Sequence, residues 1–176
     1  MSIRRISIYG LIIASYTILS LVMGTMSFWI VQIRIPEVMM LLCLKEKEYV
    51  LPLSIGCLVA NIIGVISGLD CFPLDFIFGT FGTVTSGLLM YHFRNIRIKD
   101  IPVISLLMPP LINGIIIGVE MAIYTITFFD FARTFFIGFI YVFIGEFVSC
   151  SLIGMLLLEP LNRAYSALRL DDKKEV

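Results

Sequence analysis

IPVISLLMPPLINGIIIGVEMAIYTITF, residues 101–128, is an apolar stretch long enough to cross a bilayer. It nevertheless carries Asn113 and Glu120 in its interior. A carboxylate near the bilayer centre costs on the order of 3 kcal/mol or more, so such a residue usually faces a partner, a ligand or a water-filled cavity. A second acid, Glu146, lies inside another long apolar stretch. Two such acids in a short chain point to a polar pocket within a helical membrane bundle.

The totals agree with that reading. Of 176 residues, 59% are hydrophobic and only 15% are charged, with a mean hydropathy of +1.01. A soluble domain of this size could not hide so much apolar surface, so the class is an all-α integral membrane protein. Formal net charge is zero, and no basic tract suggests nucleic acid. Neither a Rossmann nor a P-loop glycine pattern is present, so ATP is not bound here by that route. Cys43, Cys57, Cys71 and Cys150 are scattered singly, without metal or redox spacing, and read as small packing residues. His92, beside Arg94 and Arg97, reads as a solvated or headgroup-facing residue, and no metal site is expected. Arg4-Arg5 followed by Ile6 to Met23 resembles a signal peptide. Without a clear cleavage site, and with more spans following, it reads as a retained first membrane helix.

The hydropathy pattern predicts one membrane domain over residues 1–176, with six helices at about 6–26, 36–47, 49–68, 73–93, 101–128 and 133–160, and a cytoplasmic tail at 161–176. The second helix is short for a span: ~10 residues rise only ~15 Å, half the hydrocarbon core. Either it packs inside protein or it begins nearer Phe28. Ahead of it, Trp29, Val31, Ile33 and Ile35 alternate with Ile30, Gln32 and Arg34. That period of two predicts an extended segment across one mouth of the bundle. Six spans put both termini on one side. Eleven lysines and arginines then share that side, from Arg4 and Arg5 through Lys45, Lys47, Arg94, Arg97 and Lys99 to the tail; Arg34 and Arg133 stand on the other. The positive-inside rule makes the rich side cytoplasmic, as expected of a multi-pass cell-membrane protein.

This topology gives the polar residues a depth. Glu120 falls roughly 12 Å below the outer end of its helix. Asn61, Asp75, Glu146, Arg34 and Glu37 converge on the same outer half. Asn113 and Glu120, one heptad apart, share a face to within ~20°, and Tyr124 continues it. Asp75, Gly79, Gly82, Thr83 and Ser86 form a small, polar stripe that could line a cavity or let helices pack closely. Arg34 and Glu37, three apart, are placed either to pair with each other or to leave Glu37 free for a ligand. Ionised carboxylates only accept hydrogen bonds, so the set suits a small polar ligand with paired N–H donors. One carboxylate can take the amidine edge of a guanine-like ring, and a second can meet a ligand cation. Trp29 and Tyr124 near the mouth could stack on a flat ring. Glu120 and Glu146 could instead be protonated, or bond to each other.

Several short pieces in a fixed order resemble the QueT family, substrate-binding S components of energy-coupling factor (ECF) transporters for queuosine precursors. They are Gln32-Ile33-Arg34-Ile35-Pro36-Glu37, Gly56 with Ala60-Asn61, Asp75-Phe76-Ile77-Phe78-Gly79-Thr80 with Thr83, then Pro110, Asn113, Gly118 and Glu120, and finally Gly145-Glu146 with Gly154. The resemblance implies a six-helix S-component bundle with an outward-facing pocket, partly roofed by the loop after helix 1. It also implies a deazaguanine ligand such as aminomethyl-deazaguanine (preQ1), and a partner module of one transmembrane coupling protein and two cytoplasmic ATPases. ATP would then sit on the partners, with no cofactor in this chain. The family commonly has serine where Pro36 stands; Pro is comfortable at a helix start. Docking of the coupling protein is expected on small residues of helix 1, of which Gly10 and Ala14 fit and Ile18 breaks the next step.

The expected ligand contacts are Glu120, Asn113 and Glu146, then Asn61, Asp75, Glu37, Arg34, Trp29 and Tyr124. A rival is a stand-alone proton-coupled carrier using Glu120 and Glu146. A structural subunit is a further rival. An intramembrane enzyme lacks support, because no HExxH and no nucleophile with a paired base is present.

Overall fold

The computed structural model describes residues 3–28, 32–70, 72–125 and 127–167. Trp29, the adjoining Ile30 and Val31, Cys71 and the tail beyond Ala167 lie outside them. The described residues form seven α-helices: α1 (Ile3–Met23), α2 (Thr25–Phe28), α3 (Val50–Ile66), α4 (Asp75–Phe93), α5 (Val103–Ile123), α6 (Phe128–Glu146) and α7 (Gly154–Ala167). A 3-10 helix covers Ile35–Leu44, and a π-helical segment, Phe147–Ile153, joins α6 to α7 without a break.

Among the described residues, four stretches are long and apolar enough to cross a bilayer: Ile3–Met23, Lys47–Ile66, Val103–Ile123 and Phe129–Ala167. The other two expected spans differ for separate reasons. α4 has 19 residues, but its glycines, threonines and serine dilute the apolar character. It packs between α3 and α5. The short second helix is a 3-10 helix inside the protein, in contact with α1, α3, α4, α5, the π segment and α7. The last helix is longer than expected. It begins at Phe128 rather than 133 and continues through 161–167, which the sequence pattern assigns to a tail. The 39 residues Phe129–Ala167 alone amount to ~58 Å, well beyond the ~30 Å hydrocarbon thickness.

The 3-10 geometry explains which of its residues are buried. Three residues per turn bring positions i, i+3 and i+6 into one line. Glu37, Met40 and Cys43 form that line, and all three are fully buried. Pro36 in the first turn starts the helix without losing a needed N–H. Below Glu37, Met40, Leu41 and Cys43 join Tyr16, Leu53, Cys57, Met90, Leu106 and Cys150 in an apolar core. The far end is closed by Tyr9, Tyr49 and Tyr165, whose rings meet edge to face. There Tyr165 donates to Glu46 at 2.7 Å, and Arg5 lies 3.7 Å from Glu46. The start of α1 and the end of α7 therefore stand at one end of the bundle. Buried polar residues gather toward the opposite end, where α3 ends and α4 begins.

α1 leans directly on α3. A Cβ built on Gly56 would lie 2.9 Å from the Cβ of Tyr16 and 3.3 Å from the carbonyl oxygen of Ile13, so only glycine lets the two backbones meet. Gly10 and Ala14 are exposed, and a Cβ on Gly10 would meet nothing. Gly56→Ala is expected to lower stability by about 1–3 kcal/mol through overpacking. Gly10→Ala is expected to be neutral or stabilising by up to ~1 kcal/mol through helix propensity. Thermal denaturation of the detergent-solubilised protein checks both.

A buried acidic site with one guanidinium

Five acids are buried among the described residues: Glu37, Asp70, Asp75, Glu120 and Glu146. Arg34 is the buried cation that accompanies them. Arg34 arrives on the non-helical chain at 32–34, where the expected alternation gains a direction. Gln32 and Arg34 turn inward, whereas Ile33 is half-buried and Ile35 exposed. The apolar side chains thus meet the surroundings, and the polar ones meet the bundle.

Arg34 does not pair with Glu37. Its Nη2 lies 2.5 Å from Asp75 Oδ2, and its Nε donates to the Ser27 carbonyl at 2.9 Å. The guanidinium also stands over the Phe28 ring at 5.9 Å. The i+3 spacing misleads because Arg34 precedes the helix that carries Glu37, so the two side chains do not share a helical face. Glu37 instead accepts a hydrogen bond from Tyr16 at 2.5 Å. Asn61 donates to the Asp75 carbonyl at 3.0 Å, holding the first turn of α4. Arg34, Asp75 and Asn61 therefore form a strut linking the extended segment, α3 and α4.

The remaining acids are less satisfied. Asn113 Nδ2 donates to Glu146 Oε1 at 2.7 Å, tying α5 to the end of α6. Asn113 Oδ1 rests against Gly82 of α4, where a Cβ would collide with it. Glu120 is fully buried, and neither of its oxygens has a partner. Glu37 Oε2, Asp75 Oδ1, Asn113 Oδ1 and Glu146 Oε2 are likewise unpartnered. Asp75, Asp70 and Arg34 act electrostatically on Glu120, and Glu37, Arg34 and Asp75 act on Glu146, so these groups belong to one field. Buried carboxylate oxygens without partners are costly. A cluster rich in acceptors is suited to a solute that brings N–H donors and positive charge.

Of the other expected contacts, Trp29 lies outside the described residues. Tyr124 is 48% exposed and packs on Phe72 with ring centroids 6.3 Å apart, so it belongs to the rim. An open hollow at that rim is lined by Tyr124, Thr125, Asp130, Arg133, Thr134 and Ile137; the buried acids are not part of its wall. Tyr16, Gln32 and Asp70 are additions to the expected set. Tyr16 and Gln32 carry no charge to flag them, and Asp70 sits in a connection where an acid is ordinary.

Asp70 accepts the Phe72 N–H at 2.8 Å, while its second oxygen is buried without a partner. Burial, aided by the Asp75 charge, pushes its pKa up from 3.8 to about 7. The folded chain then keeps a proton that the unfolded chain loses first, so stability falls as pH rises from about 4 to about 7 and levels off above. Asp70→Asn is expected to remove that slope in melting temperatures taken across this range. For the strut, Arg34→Met or Asp75→Asn alone should cost about 3–5 kcal/mol, each leaving a buried partner stranded. The Arg34→Met/Asp75→Leu pair should recover most of the loss, read in a double-mutant cycle of unfolding free energies.

No curated protein and no solved structure matches the chain. The family model described as QueT transporter matches residues 6–163, which spans all the helices that build the site. The chain, an all-helical membrane protein, therefore belongs to the QueT transporter family.

Proposed function

We propose that this chain is the substrate-binding S component of an ECF-type importer, and that it takes up a queuosine precursor, preQ1 or a related 7-deazaguanine. The observation that carries this reading is Glu120, buried in a membrane helix with both oxygens free, in the same electrostatic field as Arg34 and the other acids. A guanine-type ring offers two parallel N–H groups that one carboxylate accepts together. An aminomethyl group on that ring supplies the positive charge that five acids and one guanidinium lack. Glu120 takes the ring edge, while Glu146, held by Asn113, and the free oxygen of Glu37 face the ammonium and the rest of the ring.

The ligand enters from outside, and the segment at 32–35 closes over it. The chain performs no covalent chemistry. Both termini are cytoplasmic, and six segments cross the membrane, α4 and the 3-10 helix included. Transport is driven by a transmembrane coupling protein and two cytoplasmic ATPases, which bind the ATP. The exposed Gly10 and Ala14 of α1 suit close approach of a partner helix.

The surplus of buried acids over cations also favours a second reading, a stand-alone carrier in which Glu120 and Glu146 carry protons. That carrier would load proteoliposomes by itself and stop when the proton gradient is collapsed; the S component alone would bind without pumping. On the leading reading, purified protein binds 7-aminomethyl-7-deazaguanine in a calorimetric titration. Glu120→Gln weakens that binding by at least tenfold while its melting temperature stays near that of the wild type. Unchanged affinity in that variant removes Glu120 from the ligand contacts.

A further inference from the structure

Gln32 differs in kind from the acids around it. It is 1% exposed, and neither its Oε1 nor its Nε2 has a hydrogen-bond partner. Its place is set by the backbone on either side. A Cβ built on Gly145 would lie 2.5 Å from the Gln32 carbonyl oxygen and 3.2 Å from its nitrogen. The chain at Gln32 therefore lies flat on α6, beside the residue that precedes Glu146. On the other side, the Ile33 N–H donates to the Met26 carbonyl at 3.0 Å, and Arg34 is held by Ser27 and Asp75.

What Gln32 adds is a donor. Among the described residues the other unpartnered buried side-chain atoms are oxygens, of which only the hydroxyls of Ser27 and Ser86 can also donate; Gln32 Nε2 is the sole nitrogen. The amides of Asn61 and Asn113 are already engaged, with the Asp75 carbonyl and with Glu146. Carboxylates bind N–H groups and repel a carbonyl oxygen. An amide can do what they cannot, donating to a carbonyl while still able to accept an N–H.

We infer that Gln32 is a ligand-binding residue that recognises the ring carbonyl, its Nε2 donating to that oxygen and its Oε1 left to accept from the aminomethyl ammonium on the same side of the ring. This rests on the deazaguanine-class ligand proposed above and assigns to one residue the recognition of the 6-oxo group. The acids then read the N–H edge and the charge, and Gln32 reads the oxygen. A site built to hydrogen-bond a given group discriminates strongly against a ligand that lacks it.

The test pairs a change in the protein with a change in the ligand. The probes are 7-aminomethyl-7-deazaguanine and its 6-thione, which keeps the ring N–H groups but presents a weaker acceptor. Wild-type protein is expected to prefer the oxo form by tenfold or more in calorimetric titrations. Gln32→Met should lose at least tenfold in affinity for the oxo form and prefer it over the thione by less than threefold. Gln32→Glu, which keeps the side chain's shape but cannot donate when ionised, should lose more. A Gln32→Met variant that keeps both its affinity and the oxo preference overturns the inference and leaves the ligand class standing. Equal affinity of wild-type protein for oxo and thione forms overturns it without recourse to any variant. Failure of wild-type protein to bind 7-aminomethyl-7-deazaguanine at all overturns the ligand class and this inference together.

Discussion

Arg34 and Asp75 meet away from water, and the polar half of the bundle is arranged around that contact. A guanidinium alone in this setting would be prohibitively costly, as would a carboxylate alone. Together they allow an extended piece of chain, rich in inward-facing polar groups, to lie across helices that otherwise bury carbon. The strut continues through Asn61 to α3 and through Ser27 to the turn after α1. With Arg34 committed to Asp75, the other buried acids have no buried cation of their own among the described residues. The negative surplus at Glu37, Glu120 and Glu146 follows from where Arg34 is anchored.

The 3-10 helix supplies the other half of the arrangement. Its tight winding places Glu37 above Met40 and Cys43 in one row. The acid thus caps a column of apolar side chains. Tyr16 secures it from α1, which in turn depends on Gly56 for its close seat on α3. One short segment thus supplies both a core of carbon below and buried oxygens above.

Much of this was legible in the chain. Glu120, Glu146 and Asn113 declared themselves because polar residues inside long apolar runs have no ordinary reason to be there. The alternation before Pro36 revealed an extended segment, but periodicity carries no sign. It could not tell that Gln32 and Arg34 turn inward while the isoleucines turn out. Local spacing also suggested Arg34 with Glu37, whereas the partner proved to be Asp75, far along the chain and brought near only by the packing of α4. Tyr16 went unnoticed, and Gln32, named in the alternation, was not expected to touch a ligand, for a different reason: an uncharged polar residue incurs too little cost in an apolar stretch to stand out until its burial is known. The length of the last helix was underestimated because its final turns are polar, and hydropathy stops counting where a helix leaves the apolar medium.

The π-helical segment Phe147–Ile153 immediately follows Glu146 in the longest helix of the chain. A π segment is in effect an α-helix with a residue inserted, its ladder widened to absorb the extra step. Removing one residue there would mend the ladder and let the helix run on as α. It would also swing everything on the N-terminal side by about 100° relative to α7, carrying Glu146 away from Asn113. Over evolutionary time, this stretch should therefore tolerate exchanges of side chain far better than changes in length.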